Sequence, residues 1–525
     1  MSRSTTRPRS GESRPPTTRP PDDGEQATGR AASPAPLLTP GGDPVSVVHL
    51  TAEYFPYART GGLAEAVMGL ASFQHARGLP VTVLMPLYRT VRDEAPDLEA
   101  IGPPIRVPLG ARIEEARIFR IAGDPPPGPR VFFVEHLGFF NRAGIYGEQG
   151  ADYPDNAQRF AFFALASCLA LPRVATGPLV LHAHDWHTAL APVYLRTILA
   201  AEPWAREALA VMSVHNPGYQ GHFGPEAMLE IGLPAELYNW RQLEWYGKVN
   251  FLKGGLAFAD CAITVSPTQA VELCTPGGGF GLHEMYKALG DRLVGILNGI
   301  DQEAWDPATD PQIVARYRAD DLEGKRRCKA GLQRSYGLPE RPDTPLFGMT
   351  GRLVQQKGLD LILESRRLLA EDAQFVFLGS GDPRYEEALT GLARAAPGRI
   401  GVQFAFRDSL EHRLMAGVDL FLMPSLYEPC GLTQMRAQRY GSLPVARRVG
   451  GLADTIEDDV TGFLFDAYDA AALEEAAFRA LAAYARPADR ARMMREAMSR
   501  DFGWERSVSA YIDVYRRVVA RGPRV

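Results

Sequence analysis

Lysine is almost missing from this chain of 525 residues, with six lysines against 51 arginines. A bias in the nucleotide composition of the genome accounts for most of the imbalance. It also makes Lys248, Lys253, Lys287, Lys325, Lys329 and Lys357 informative, as places where a compact ammonium stands instead of a planar fork. Cysteine is scarce as well. Cys168, Cys261, Cys274, Cys328 and Cys430 are odd in number, widely spaced and without a CxxC pair, which excludes a disulfide scaffold and points to a reducing cytoplasm. No apolar run approaches the ~20 residues that cross a bilayer; the longest, around Phe160 to Leu171, is short and mixed, so no membrane segment is expected. The net charge of −5 is small for this length, and gives no field for nucleic acid or an anionic membrane. No GxGxxG follows a first strand, which argues against a dinucleotide-dependent dehydrogenase.

What is present is ordinary globular composition, 46% apolar and 23% charged, over a length that exceeds what one core supports. Residues 1–44 are rich in Pro, Arg, Ser, Thr and Gly and read as a disordered tail, because little apolar surface is available to offset the entropy of ordering. Asp22, Asp23 and Glu25 and the lack of an amphipathic pattern argue against a transit peptide. From Val45 onward short apolar runs alternate with helical patterns. Strands are predicted at 45–50, 81–85, 131–134, 179–182, 209–214, 262–265 and 293–297, then again at 346–349, 375–378, 402–406, 420–423, 444–446 and 463–465. Short, continuous, apolar strands alternating with helices predict an α/β protein with two Rossmann-like, doubly wound parallel-sheet lobes facing a central cleft. The lobes are expected at 45–297 and 298–502, with a hinge near Asn298–Asp301, and with 503–525 forming a terminal helix that crosses back to brace the first lobe.

Five loops at strand ends carry candidate chemistry. Ser425–Gln434 offers the Glu428 carboxylate for hydroxyl groups, turn residues Pro429 and Gly431, and backbone N–H groups at a helix start for negative charge. Glu53–Gly62 ends in Arg59, Thr60, Gly61 and Gly62, where paired glycines let backbone approach a ligand and Arg59 adds a cation; a tight strand-to-helix turn would look the same. His182, His184, Asp185 and His187 follow a further strand. Three histidines and an aspartate suggest a metal, but His182 and His184 share one strand face while His187 lies beyond the turn, so polar contacts to a sugar compete with a metal and with packing. His215 and Asn216 precede a Gly-rich loop. Gly351–Gly358 delivers Arg352 and Lys357, two cations able to neutralise a diphosphate leaving group in place of a metal ion.

In this order, the Arg59–Leu63 loop, His182–His187, His215–Asn216, Asn298–Asp301, Arg352 with Lys357, and Glu428–Gln434 resemble the bacterial glycogen synthase and plant starch synthase family over about Val45 to Tyr515. The resemblance implies the GT-B fold and transfer of glucose from ADP-glucose to the non-reducing 4-hydroxyl of an α-1,4-glucan such as glycogen, with retention and without a metal or other cofactor. It further implies that Arg352 and Lys357 bind the diphosphate and that Glu428, Cys430, Gly431 and Leu432 hold the glucosyl hydroxyls and phosphate. His215 would face the anomeric carbon and the 6-hydroxyl, Asp185 and Asn298 would line the glucose and acceptor side, Gly61 and Gly62 would meet the phosphates, and Arg59, Glu65, His187, Asn216 and Thr433 are expected as further substrate-binding residues. The chain departs from the family where Arg59 replaces lysine and Glu65 replaces aspartate, and Arg436 stands where other retaining GT-B enzymes carry a second glutamate. A transferase with another acceptor and a non-catalytic glucan-binding protein are the competing readings; His215, Arg352, Lys357 and Glu428 together argue against the second.

Overall fold

The computed structural model describes residues 37–95, 97–123, 127–148, 150–405 and 407–524. The expected tail lies outside the described residues up to position 36. Its expected limit at 44 is corrected, because Leu37 is buried in the first core and Thr39 to Asp43 form a turn that pairs Leu38 with Pro44. One leucine with a place to go is enough to fix the chain eight residues early.

The first sheet runs, from one edge, Leu293–Gly295, Cys261–Thr264, Leu209–Val214, Leu179–His184, Ser46–Leu50, Val81–Pro86 and Arg130–Glu135, all parallel. Strand order reverses on either side of Ser46–Leu50, so the loops leaving this strand and Leu179–His184 open on a crevice. An antiparallel extension of Arg112–Ile121, Leu98–Ala100 and Ile105–Leu109 completes the sheet. Charged residues hid it from the sequence reading: in Arg112–Ile121 only Ala116 and Ile118 are buried.

The second sheet has the order Ile400–Gln403, Gln374–Leu378, Leu346–Thr350, Leu420–Met423, Leu443–Arg447 and Phe463–Phe465, again parallel. In chain order this is 3-2-1-4-5-6, which places a crevice between the ends of Leu346–Thr350 and Leu420–Met423. Alternate residues face two cores, Phe375 and Phe377 on one side and Val376 and Leu378 on the other, as a sheet covered on both faces requires.

Three of the rare lysines are buried and saturate carbonyl clusters. Lys325 donates to the Ala416, Val418 and Tyr440 carbonyls and to Ser442, and Lys329 pairs with Asp419 at 2.7 Å while reaching the Pro342 and Thr344 carbonyls. Lys253 bridges the Trp240 and Glu244 carbonyls. A point charge with three rotatable donors suits such pockets, and a rigid guanidinium fork does not.

The terminal helix Trp504–Arg521 turns Trp504, Val508, Tyr511, Ile512, Tyr515 and Val518 inward at helical spacing and lies against Gly62–Ala76 of the first lobe. Trp504 occupies the space that Gly69 leaves: a Cβ there would come 2.3 Å from the indole nitrogen. The Ile300 N–H donates to the Phe502 carbonyl at 2.8 Å, so the two passages of the chain between lobes run side by side. Among the described residues, no helix is long and apolar enough to cross a membrane.

Candidate active site

The two crevices meet in one cleft of about 420 Å³, within the usual range for small-molecule sites. Sixteen of the residues singled out from the sequence line it: Arg59, Gly61, Gly62, Glu65, Asp185, His187, His215 and Asn216 from the first lobe, Asn298 from the crossing between lobes, and Arg352, Lys357, Glu428, Cys430, Gly431, Leu432 and Thr433 from the second, whereas His182 and His184 are not part of the lining.

The Gly61–Gly62 loop is held by a residue whose part the sequence did not disclose. Buried Glu53 accepts from the Thr60 N–H at 2.6 Å, the Thr60 hydroxyl at 2.7 Å and the Gly61 N–H at 3.3 Å, and also from the Tyr146 hydroxyl at 2.6 Å. Tyr146 in turn stacks on His187, ring centroids 4.6 Å apart. A strand-end glutamate has no sequence signature for such a task, and Tyr146 is far away in the chain. His187 is buried and its Nδ1 has no hydrogen-bond partner, a costly condition.

Asp185 sits at φ 57°, ψ −179°, a region almost reserved for glycine and costing about 1–3 kcal/mol. Its Oδ1 accepts from the N–H groups of His215 at 2.7 Å and Asn216 at 3.3 Å, so the strained residue shapes the next loop. Burial pushes its carboxyl up to about 7, opposed by those two N–H groups. Because the folded pKa lies above the unfolded one, stability from this group is complete below about pH 4 and is lost as pH rises through 7. Asp185→Asn keeps an acceptor and cannot ionise. Its melting temperature relative to the wild type should therefore rise between pH 5 and pH 8, whereas a flat or falling difference contradicts the assignment.

On the opposite wall, Lys357 Nζ lies 2.6 Å from Glu428 Oε2, which also accepts from Ser425 Oγ at 3.0 Å. Arg352 is exposed and reaches across to the Tyr219 hydroxyl at 3.5 Å. Gly431 has φ 69°, and a Cβ there would come 2.3 Å from Gln434 Oε1, so the turn after Glu428 needs glycine. Burial pushes the Cys430 thiol up to about 12, which leaves it protonated and unsuited to nucleophilic attack. His215 is held near pKa 3 by burial and is neutral at any physiological pH.

Arg59, Glu65 and Arg436 form one network across the cleft. Arg59 donates to Glu65 at 2.9 Å and to Asp408 at 2.8 Å; its fork is thus engaged by carboxylates rather than displayed to the cleft alone. Buried Arg436 pairs with Glu65 and, at 3.1 Å, with Glu411, while its guanidinium stacks on Trp305 at 4.1 Å. The position that carries a second glutamate elsewhere is here a cation that ties one lobe to the other.

Two facing Rossmann-like lobes, with cations on one wall and a glycine loop and histidine on the other, have the architecture of a glycosyltransferase of the GT-B class. Residues 46–288 match the family model described as the starch synthase catalytic domain, and residues 336–500 match glycosyl transferases group 1. The chain is 45% identical to a glycogen synthase of Anaeromyxobacter sp. (strain Fw109-5), over 91% of this chain and 100% of that one, and 41% identical to one of Syntrophotalea carbinolica, over 90% and 99%. It is also similar to the catalytic domain of starch synthase IV from Arabidopsis thaliana, solved with ADP and acarbose: TM-score 0.82, 34% identity, covering 91% of this chain and all of that one. The chain belongs to the glycogen and starch synthase family.

Proposed function

We propose that this protein is a glycogen synthase that transfers glucose from ADP-glucose to the non-reducing 4-hydroxyl of an α-1,4-glucan, with retention of configuration. The observation that carries the reading is the convergence in one cleft of Arg352, Lys357 and the Glu428–Thr433 turn with His215 and the Gly61–Gly62 loop from the other lobe. Departure of a nucleoside diphosphate builds negative charge on its oxygens, and a fixed guanidinium and ammonium stabilise that charge without reorganisation. They supply what a divalent cation supplies elsewhere, so no cofactor enters the scheme. The ADP bound by the plant relative supports the adenine nucleotide.

Most carboxylates lining the cleft are engaged in holding it together: Glu53 holds the glycine loop, Asp185 the His215 turn, Glu428 pairs with Lys357, and Glu65 and Glu411 pair with Arg436. The reading therefore favours attack of the acceptor hydroxyl on the face the diphosphate leaves, with the leaving phosphate taking the hydroxyl proton. The unpaired cysteines fit a cytoplasmic location. Labelled glucose should enter glycogen from ADP-glucose in preference to UDP-glucose; incorporation from neither donor would reject the reading.

A further inference from the structure

We propose that a buried chain of hydrogen bonds from the terminal helix to the cleft fixes the tautomer of His215, making Gln74, His49 and His184 positioning residues for the transfer. The tautomer follows from the hydrogen-bond geometry of buried, neutral rings, and its catalytic consequence rests on the function proposed above. His215 Nε2 lies 2.9 Å from His184 Nδ1, His184 Nε2 lies 2.9 Å from His49 Nδ1, and His49 Nε2 lies 2.8 Å from Gln74 Oε1. On the other side, Gln74 Nε2 donates to the Tyr515 hydroxyl at 3.0 Å, which lies 2.7 Å from His182 Nδ1, and His182 Nε2 is 2.7 Å from Ser213 Oγ. Apart from His215 every member is fully buried. Strand register builds the cluster, setting His49 opposite His182 and His184 opposite Ser213.

A neutral imidazole has one donor and one acceptor nitrogen. Burial keeps these rings neutral, His49 at about 4 and His182 and His184 well below their ordinary value. The polarity of one bond therefore passes to the next. A carbonyl oxygen can only accept, so His49 carries its proton on Nε2 and accepts at Nδ1 from His184. His184 then accepts at Nδ1 from His215 Nε2–H. The remaining nitrogen, His215 Nδ1, is an unprotonated acceptor on a ring that lines the cleft, ready to receive a hydrogen bond from a hydroxyl of the donor sugar. The same Gln74 orientation sets the second branch, with Tyr515 donating to His182 and His182 donating to Ser213. Turning the Gln74 amide over would reverse every donor and place N–H at His215 Nδ1 instead.

His49, His182 and His184 are also the group of metal-type ligands found among the described residues, their atoms within 4.8 Å of one another. Each of their six ring nitrogens already has a hydrogen-bond partner, so a metal would have to displace the chain.

Nitrogen-15 NMR of histidine-labelled full-length protein at neutral pH, without substrate, should show His215 protonated at Nε2 and bare at Nδ1. Gln74→Met removes the fixed acceptor at similar volume; it should give mixed tautomers and a kcat lower by roughly tenfold or more, with the donor KM little changed. Should that variant fail to fold, Tyr515→Phe frees the Gln74 amide to turn and should act in the same direction. A proton on Nδ1 in the wild type, stoichiometric metal in the purified protein, or unchanged kcat and tautomers in the variants would overturn the proposal. A wild type without transfer activity would reject the functional reading while the spectra still decide the tautomer.

Discussion

Lys357→Ala should lower kcat by about 10²–10³, or ~3–4 kcal/mol of transition-state stabilisation, in assays of glucose transfer to glycogen. The ammonium lies on the wall where the diphosphate would leave, 2.6 Å from Glu428, and alanine removes a charge whose effect is greatest when negative charge is at its peak. A ground-state contact alone would raise KM and spare kcat. The substitution also leaves the buried Glu428 carboxylate without its cation, which costs stability. The double variant Lys357→Ala with Glu428→Gln isolates the stability effect: its unfolding midpoint should return toward that of the wild type. A single variant with kcat within twofold of wild type would show that the leaving group is stabilised elsewhere.

Trp504→Ala should destabilise the protein by about 3–5 kcal/mol, read as a lower denaturant midpoint. Trp504 is 3% exposed and touches two segments distant in sequence: a Cβ on Gly69 would collide with the indole, and one on Gly299 would come 2.7 Å from Trp504 Cα. The residue thus joins the first helix, the outgoing crossing and the returning crossing. The cavity left by alanine cannot collapse easily, because glycines face it and have no side chains to fill it. Since Tyr515 lies on the same helix, the loss should also loosen the hydrogen-bond chain that ends at His215. An unchanged midpoint would mean that the terminal helix is held by its distal residues alone.

Much of the fold was legible because parallel strands buried on both faces are short apolar runs that sequence reveals directly. The strands at 209–214, 420–423 and 463–465 keep their expected limits, and the others shift by a residue or two, except that the strand expected at 402–406 lies at Ile400–Gln403, its expected end falling outside the described residues. The antiparallel extension escaped because its residues alternate charged with apolar on a solvent-facing surface, and Leu37 escaped because a single leucine in a polar tail has no period. Within the site, the loops announced themselves by composition: paired glycines, clustered histidines, two cations on one loop. The supporting residues did not. Glu53, Tyr146, Gln74 and Tyr515 are unremarkable in sequence and gain their parts only from neighbours tens or hundreds of positions away.

By itself, the sequence determined that this chain folds as two strand-helix repeats and that glycine loops, histidines, Arg352, Lys357 and Glu428 sit at strand ends, since strand positions and burial follow from local patterns of apolar residues. Only the tertiary structure decided that all of them face one cleft, that Arg59, Glu65 and Arg436 form one ionic network across it, and that the histidines bond to one another rather than standing apart. The reason is physical: which buried donor meets which acceptor depends on strand register and on the return of the terminal helix, and neither is encoded in any short stretch of the chain.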